Sequence, residues 1–232
     1  MKLLVEPDAA SAAQSAAAYV ADRLSDAVRA KGRATVAFSG GSTPAAMFRA
    51  LTTLAVPWQQ VDVLQVDERV VAADDAARNW HSLCQQLADP VDLPEDRRHP
   101  MVVTQTDLAR AARAYAHDIQ LLASSGIDVV HLGLGDDGHT ASWPPGDPVI
   151  HSEQDVAVVG PYRGHRRMTL TPRVVNHAVV RIWLVSGRDK RHALTGLLRH
   201  DPRLPAAAVT QNATDVIISD QPAAADLSRH PD

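Results

Sequence analysis

In the run Gly133-Leu134-Gly135-Asp136-Asp137-Gly138-His139-Thr140-Ala141-Ser142, two carboxylates and an imidazole share one glycine-rich loop. The apolar stretch Ile127 to Leu134 ahead of it reads as a buried strand, so the loop leaves a sheet at its carboxyl end, where open α/β folds hold their ligands. Imidazole is the side chain best suited to take a proton from water near neutral pH and hand it back to a leaving group. His139 is therefore a candidate general base, although the same residues also read as a turn capping a following helix.

A second loop, Phe38-Ser39-Gly40-Gly41-Ser42-Thr43-Pro44, follows the strand-like Ala34 to Phe38. It precedes Ala45 to Leu54, whose composition favours a helix with Pro44 in its first turn. Adjacent glycines let a backbone approach a ligand closely, and the hydroxyls of Ser42 and Thr43 stand beside the free N–H groups of a new helix, which together make an anion pocket. The glycine spacing is wrong for a dinucleotide fingerprint, and no Lys-Ser/Thr pair follows as in a nucleoside-triphosphate loop. A third segment, Asp62 to Val66 followed by Asp67-Glu68-Arg69, ends a strand-like run in two acids and a guanidinium, which reach the same sheet edge if the strands are parallel. Arg166-Arg167 ahead of Met168-Thr169-Leu170-Thr171 adds a guanidinium pair, and Lys190 opens a helix after Ser186-Gly187. Arginine offers phosphate a planar fork and lysine a mobile point charge. A lysine in a first turn opposes the helix macrodipole, a cost that an anionic partner relieves. Each of these charged segments also reads as ordinary solvated surface.

Such groups need a sheet to position them. Strand-like runs at Lys2 to Val5, Thr35 to Phe38, Asp62 to Val66, Asp128 to Leu134, Arg181 to Ser186 and Asp215 to Ser219, with an extra one at Val156 to Val159, alternate with helix-like segments. The helices are expected at Ala9 to Arg29, Ala45 to Leu54, Trp80 to Leu87, Leu108 to Ser124, Asp189 to Leu198 and Pro222 to Leu227. This is the pattern of an α/β fold, a mostly parallel sheet with helices on both faces. Neither a repeat nor a low-complexity linker interrupts residues 1–232, so a single domain is expected, with Asp89 to Pro100 crossing the surface as its longest loop. A formal net charge of -4 supplies no basic field, which argues against nucleic acid as a partner. The lone Cys84 reads as a buried structural thiol. Alanine-rich Ala9 to Ala21 reads as a first helix and not an export signal, because Glu6 and Asp8 precede it and Ser and Gln interrupt it. No apolar stretch approaches the ~18 residues of a membrane span, so a cytoplasmic protein without a membrane partner is expected.

Taken in order, Gly40-Gly41-Ser42-Thr43-Pro44, Asp67-Glu68-Arg69-Val70-Val71 with Asn79 downstream, Gly133 to Ser142, Arg167-Met168-Thr169-Leu170-Thr171 and Gly187-Arg188-Asp189-Lys190 resemble the 6-phosphogluconolactonases of the glucosamine-6-phosphate deaminase/6-phosphogluconolactonase family. The resemblance implies a Rossmann-like fold shared with glucosamine-6-phosphate deaminase and ribose-5-phosphate isomerase. It further implies hydrolysis of 6-phospho-D-glucono-1,5-lactone in the oxidative pentose phosphate pathway, without metal or other cofactor. Carried over position by position, it makes His139 the base that activates water and Asp137 its organiser. Asp67, grouped with them as catalytic, and Arg69 would line the sugar end. Gly40, Gly41, Ser42 and Thr43 would hold the phosphate, with Arg167 and Lys190 as countercharge. The expected partner is a phosphorylated sugar lactone, bound by a monomer or weak homo-oligomer. Trp143-Pro144-Pro145 stands where the family continues with Leu-Phe-Pro, which suggests a reshaped pocket wall, and Arg78 stands where a Ser usually precedes Asn79.

Three rival readings remain. A metal site could draw on His131, Asp136, Asp137 and His139, but no helix carries a His-Glu-x-x-His arrangement. A sugar-phosphate deaminase or isomerase would resemble the loop as far as Asp-Gly-His; deaminases then carry an acid where this chain has Ser142-Trp143-Pro144. A non-catalytic sugar-phosphate sensor would keep the anion pocket and need a DNA-binding module, for which the chain has no basic stripe.

Overall fold

The computed structural model describes residues 1–227. In chain order its strands are β1 (Lys2–Glu6), β2 (Ala34–Phe38), β3 (Val61–Gln65), β4 (Asp67–Arg69), β5 (Arg98–His99), β6 (Val129–Leu132), β7 (Val156–Tyr162), β8 (His165–Leu170), β9 (Val180–Val185) and β10 (Val216–Asp220). The helices are α1 (Ala9–Lys31), α2 (Pro44–Leu51), α3 (Asn79–Leu83), α4 (Leu108–Leu122), α5 (Pro172–His177), α6 (Arg191–Leu198) and α7 (Gln221–Ala224).

Seven strands form one sheet in the order β1-β10-β9-β6-β2-β3-β5, with every neighbouring pair parallel. Strands β2, β3, β6, β9 and β10 are buried at every residue, as in a parallel sheet covered on both faces. One face packs on α1 and α2 through Val36, Phe38 and Ile182, the other on α4 to α7 through Ala37, Val130 and Trp183. Helix α1 is held at its start by the Asp8 side chain, which accepts from the Ser11 N–H, and ends at Gly32, whose φ of 77° closes a left-handed cap.

The strand order sets the position of the site. From β2 the chain moves outward to β3 and β5, and from β6 it moves the other way to β9 and β10. The crossovers therefore diverge between β2 and β6, and a crevice opens at the carboxyl ends of those two strands. The opposite, amino edge of the sheet is pinned by buried polar groups. Arg181 donates to both oxygens of Asp215, from Nε at 3.0 Å and Nη2 at 2.9 Å. The Thr35 N–H and hydroxyl reach Asp128 at 2.8 and 3.0 Å, and His99 meets Asp62 at 2.9 Å.

Several expectations need correction. Val156 to Val159 is not an extra strand of the main sheet; it lies in β7 of a second, antiparallel sheet ordered β4-β8-β7. Asp67–Arg69 is likewise a strand of that sheet, with Asp67 opposite Thr169 and Arg69 opposite Arg167. Val66 joins the two sheets: its N–H donates to Phe38 O at 3.0 Å and its carbonyl accepts from Leu170 N–H at 2.8 Å. The helix expected over Trp80 to Leu87 starts at Asn79 and widens to a π turn over Cys84–Ala88. Cys84 is half-buried there, and burial pushes its thiol upward.

Candidate active site

The loop after β6 is folded on itself before it reaches any ligand. Gly135 N–H donates to His139 O at 2.7 Å and Gly138 N–H to Gly135 O at 3.1 Å, while the Thr140 hydroxyl donates to Gly133 O at 2.8 Å. A Cβ on Gly135 would lie 1.9 Å from His139 Nδ1 and 2.6 Å from Asp137 Oδ1, so only glycine lets this pair settle across the backbone. His139 Nδ1 is 2.5 Å from Asp137 Oδ1, and the Tyr162 hydroxyl donates to Asp137 Oδ2 while standing 2.9 Å from the same Nδ1. Among the described residues no hydrogen bond involves Nε2, which leaves that nitrogen for chemistry. Burial works against a charged Asp137, but the bonds from Tyr162 and His139 outweigh it and hold the carboxyl well below the usual range. The same arrangement, with burial as the larger cause, pushes the Tyr162 hydroxyl up to about 12.

Across the switch point lies the loop after β2. The Ser39 N–H and hydroxyl donate to His131 O at 3.3 and 3.0 Å, tying the loop to β6. The N–H groups of Gly40, Gly41, Ser42 and Thr43 make no hydrogen bond among the described residues, and Gly41 has a φ of 109°, open to glycine alone without strain. All four residues line a cavity of about 200 Å³ together with Asp67, Arg69, His131, His139, Arg163, Arg167 and Lys190. Four cationic side chains thus face one lining carboxylate.

Asp67 is buried, accepts from the Ser142 hydroxyl at 2.6 Å and lies 3.6 Å from Arg167 Nη1. Burial raises its carboxyl despite these partners, and burial likewise lowers Arg167, against the pull of Asp67. Arg69 donates to Ala77 O at 2.7 Å, and Lys190 pairs with Asp189 at 2.9 Å at the entrance to α6. The residues singled out from the sequence therefore meet in one cleft, apart from Asp137, which touches it through His139.

Tyr162 and Arg163 escaped the sequence reading. They close the β7–β8 hairpin, where Tyr162 pairs with His165 across Arg163 and Gly164 at φ 48° and 87°. Gly164 is the one local turn cue there, since the flanking Gly160-Pro161-Tyr162 and His165-Arg166-Arg167 do not alternate. Glu68, one of the two acids expected at the sheet edge, is instead wholly buried; it accepts from the N–H groups of Asn79 and Trp80 at 2.8 and 2.9 Å and so seats the start of α3. Arg78 is not at the pocket wall, since its Nε lies 3.0 Å from Glu68 Oε2. Trp143 is not among the residues that line the cavity; it is fully buried in the core and donates to Leu170 O at 2.8 Å.

A cationic cleft at the switch point of a parallel sheet, with an imidazole–carboxylate pair at its side, is the architecture of an α/β enzyme. Residues 7–218 match the family of glucosamine-6-phosphate isomerases and 6-phosphogluconolactonases, and the chain belongs to that family. A 6-phosphogluconolactonase of Synechocystis is 34% identical over 217 residues, 90% of each chain. The crystal structure of a 6-phosphogluconolactonase from Shewanella baltica superposes with a TM-score of 0.86 at 25% identity, covering 95% of this chain and 97% of that one. A monomeric glucosamine-6-phosphate deaminase shares the fold with a TM-score of 0.87 at 20% identity, over 97% of this chain and 99% of its own. Among the described residues no helix is long and apolar enough to cross a membrane, and no group of three or more His, Cys, Asp or Glu is arranged to hold a metal ion.

Proposed function

We propose that this chain hydrolyses 6-phospho-D-glucono-1,5-lactone to 6-phospho-D-gluconate in the oxidative pentose phosphate pathway. It would work as one catalytic domain in the cytoplasm, as a monomer or weak homo-oligomer and without metal or other cofactor. The observation that carries this reading is that His139 and the loop of residues 39–43, distant in sequence, line one cavity. The naming of close relatives as 6-phosphogluconolactonases supports it.

The unengaged N–H groups of Gly40 to Thr43 and the hydroxyls of Ser42 and Thr43 take the phosphate, and Arg167 and Lys190 neutralise it. Anchoring at that end turns binding energy into orientation of the lactone carbonyl towards His139. Nε2 removes a proton from water as the water oxygen bonds to C1, while Asp137 steadies the imidazolium through Nδ1. The guanidinium groups lining the cavity stabilise the alkoxide on the tetrahedral carbon. When the alkoxide collapses the C1–O5 bond breaks, Nε2 returns its proton to O5, and the new carboxylic acid ionises into solvent. Asp67 positions Arg167 and, through Ser142, the loop carrying His139.

Initial rates on the phosphorylated lactone and on unphosphorylated D-glucono-1,5-lactone test the proposal. The parent should strongly prefer the phosphorylated substrate, and His139→Ala should lose about 10²- to 10⁴-fold in kcat with KM little changed. Near-parental turnover in the variant removes His139 from the mechanism; ammonia release from glucosamine 6-phosphate would point instead to a deaminase.

A further inference from the structure

His131 has no part in the chemistry described above, yet its side chain is 1% exposed and neither ring nitrogen has a hydrogen-bond partner. It lies on β6 opposite Phe38 of β2 and Ile182 of β9, on the sheet face that α1 and α2 cover. Its ring stands 6.1 Å from the Phe38 ring, and Leu184, two residues beyond Ile182, lines the cavity beside it. The loop of residues 39–43 is tied to this residue by the two bonds from Ser39 to His131 O. His131 thus lines the same cavity as residues 39–43, with both ring nitrogens buried and unpartnered.

Burial drives the ring down to about 3, so it is uncharged throughout the working range. A neutral imidazole still carries one N–H, whichever tautomer it adopts, and an apolar side chain would fill the place without stranding a buried donor. Its apolar neighbours on the same face, Phe38 and Val129, show what packing alone asks for.

We propose that His131 is a specificity-determining residue for the phosphorylated end of the substrate, donating an uncharged N–H to a phosphate oxygen from the cavity lining. The proposal rests on the reading of residues 39–43 as a phosphate site. Arg167 and Lys190 draw in any anion, whereas a fixed neutral donor in the cavity lining favours a tetrahedral group with an oxygen long enough to reach it.

The test compares the parent with His131→Leu and His131→Gln, using inorganic phosphate as the binding probe and both lactones as substrates. The leucine variant should weaken phosphate binding and raise KM for the phosphorylated lactone about tenfold, with kcat held within about twofold. Hydrolysis of the unphosphorylated lactone should be unchanged, and the Tm of the free protein should rise by about 2–4 °C because a stranded polar group has gone. Glutamine, which keeps a donor, should restore most of the phosphate affinity. Unaltered phosphate affinity in the leucine variant, or an equal loss on both lactones, overturns the proposal. If the variants fold poorly, ring nitrogen resonances of His131 in the parent should shift on titration with phosphate, and a ring indifferent to saturating phosphate is equally fatal. Phosphate binding that depends on His131 in a protein inactive on lactones would keep this inference and discard the lactonase reading.

Discussion

The Tyr162 hydroxyl reaches both Asp137 and His139 Nδ1, so two side chains, one from the loop and one from the hairpin, fix one imidazole. Removing the hydroxyl leaves ring packing intact but frees a carboxylate oxygen, and the imidazole gains a second resting orientation. Tyr162→Phe should lower kcat about tenfold while sparing KM; an unchanged kcat would assign the hydroxyl a purely structural part. Asp137 makes a separate prediction about pH. Its carboxyl is depressed in the folded protein, so its contribution to stability is complete above the unfolded value of ~3.9 and is lost as pH falls through the folded value. Urea midpoints of Asp137→Asn should lie below those of the parent at pH 7, with the gap beginning to narrow only below about pH 4. A gap independent of pH would mean that the charge is not what stabilises. At this scale the sequence was informative about residue types, and His139 and Asp137 could be singled out because they share a loop. Tyr162 could not, since its partners lie more than twenty residues earlier.

Among the elements, the loop after β6 and the β7–β8 hairpin do the positioning. Gly135 is the point where the loop backbone passes under the imidazole–carboxylate pair. Gly135→Ala should displace the His139 ring by roughly an ångström and lower kcat by about 10²-fold. Because the displaced atoms belong to partly exposed side chains, the melting temperature should stay near that of the parent; a large loss of stability would show that the loop itself had refolded. The principal helices and the long buried strands were legible from apolar runs and cap residues such as Asp8 and Gly32. The second sheet was not. β4 has only three residues, two of them acidic, and β8 begins His-Arg-Arg, so neither shows the alternation that marks a strand. Cross-strand pairing between Asp67 and Thr169 supplies what local pattern lacks.

At the scale of the whole molecule, the sheet separates stability from chemistry by edge. Buried ionic and hydroxyl contacts lock the amino edge, and the carboxyl edge is left to the loops. Arg181 and Asp215 are each about 1% exposed, so Asp215→Ala strands a buried guanidinium and should cost about 3–5 kcal/mol in urea unfolding. A loss below 1 kcal/mol would mean that water reaches the pair. By itself, the sequence determined which segments are buried strands and helices, because periodicity and capping act over a few residues, and it determined which loops carry an imidazole, carboxylates and adjacent glycines. Only the tertiary structure decided that β2 and β6 are neighbours with diverging crossovers, that a hairpin lays Tyr162 on His139, and that His131 sits buried at the cavity lining without a partner. Strand order and cross-loop contacts depend on surfaces meeting across the whole chain, which no local window of residues encodes.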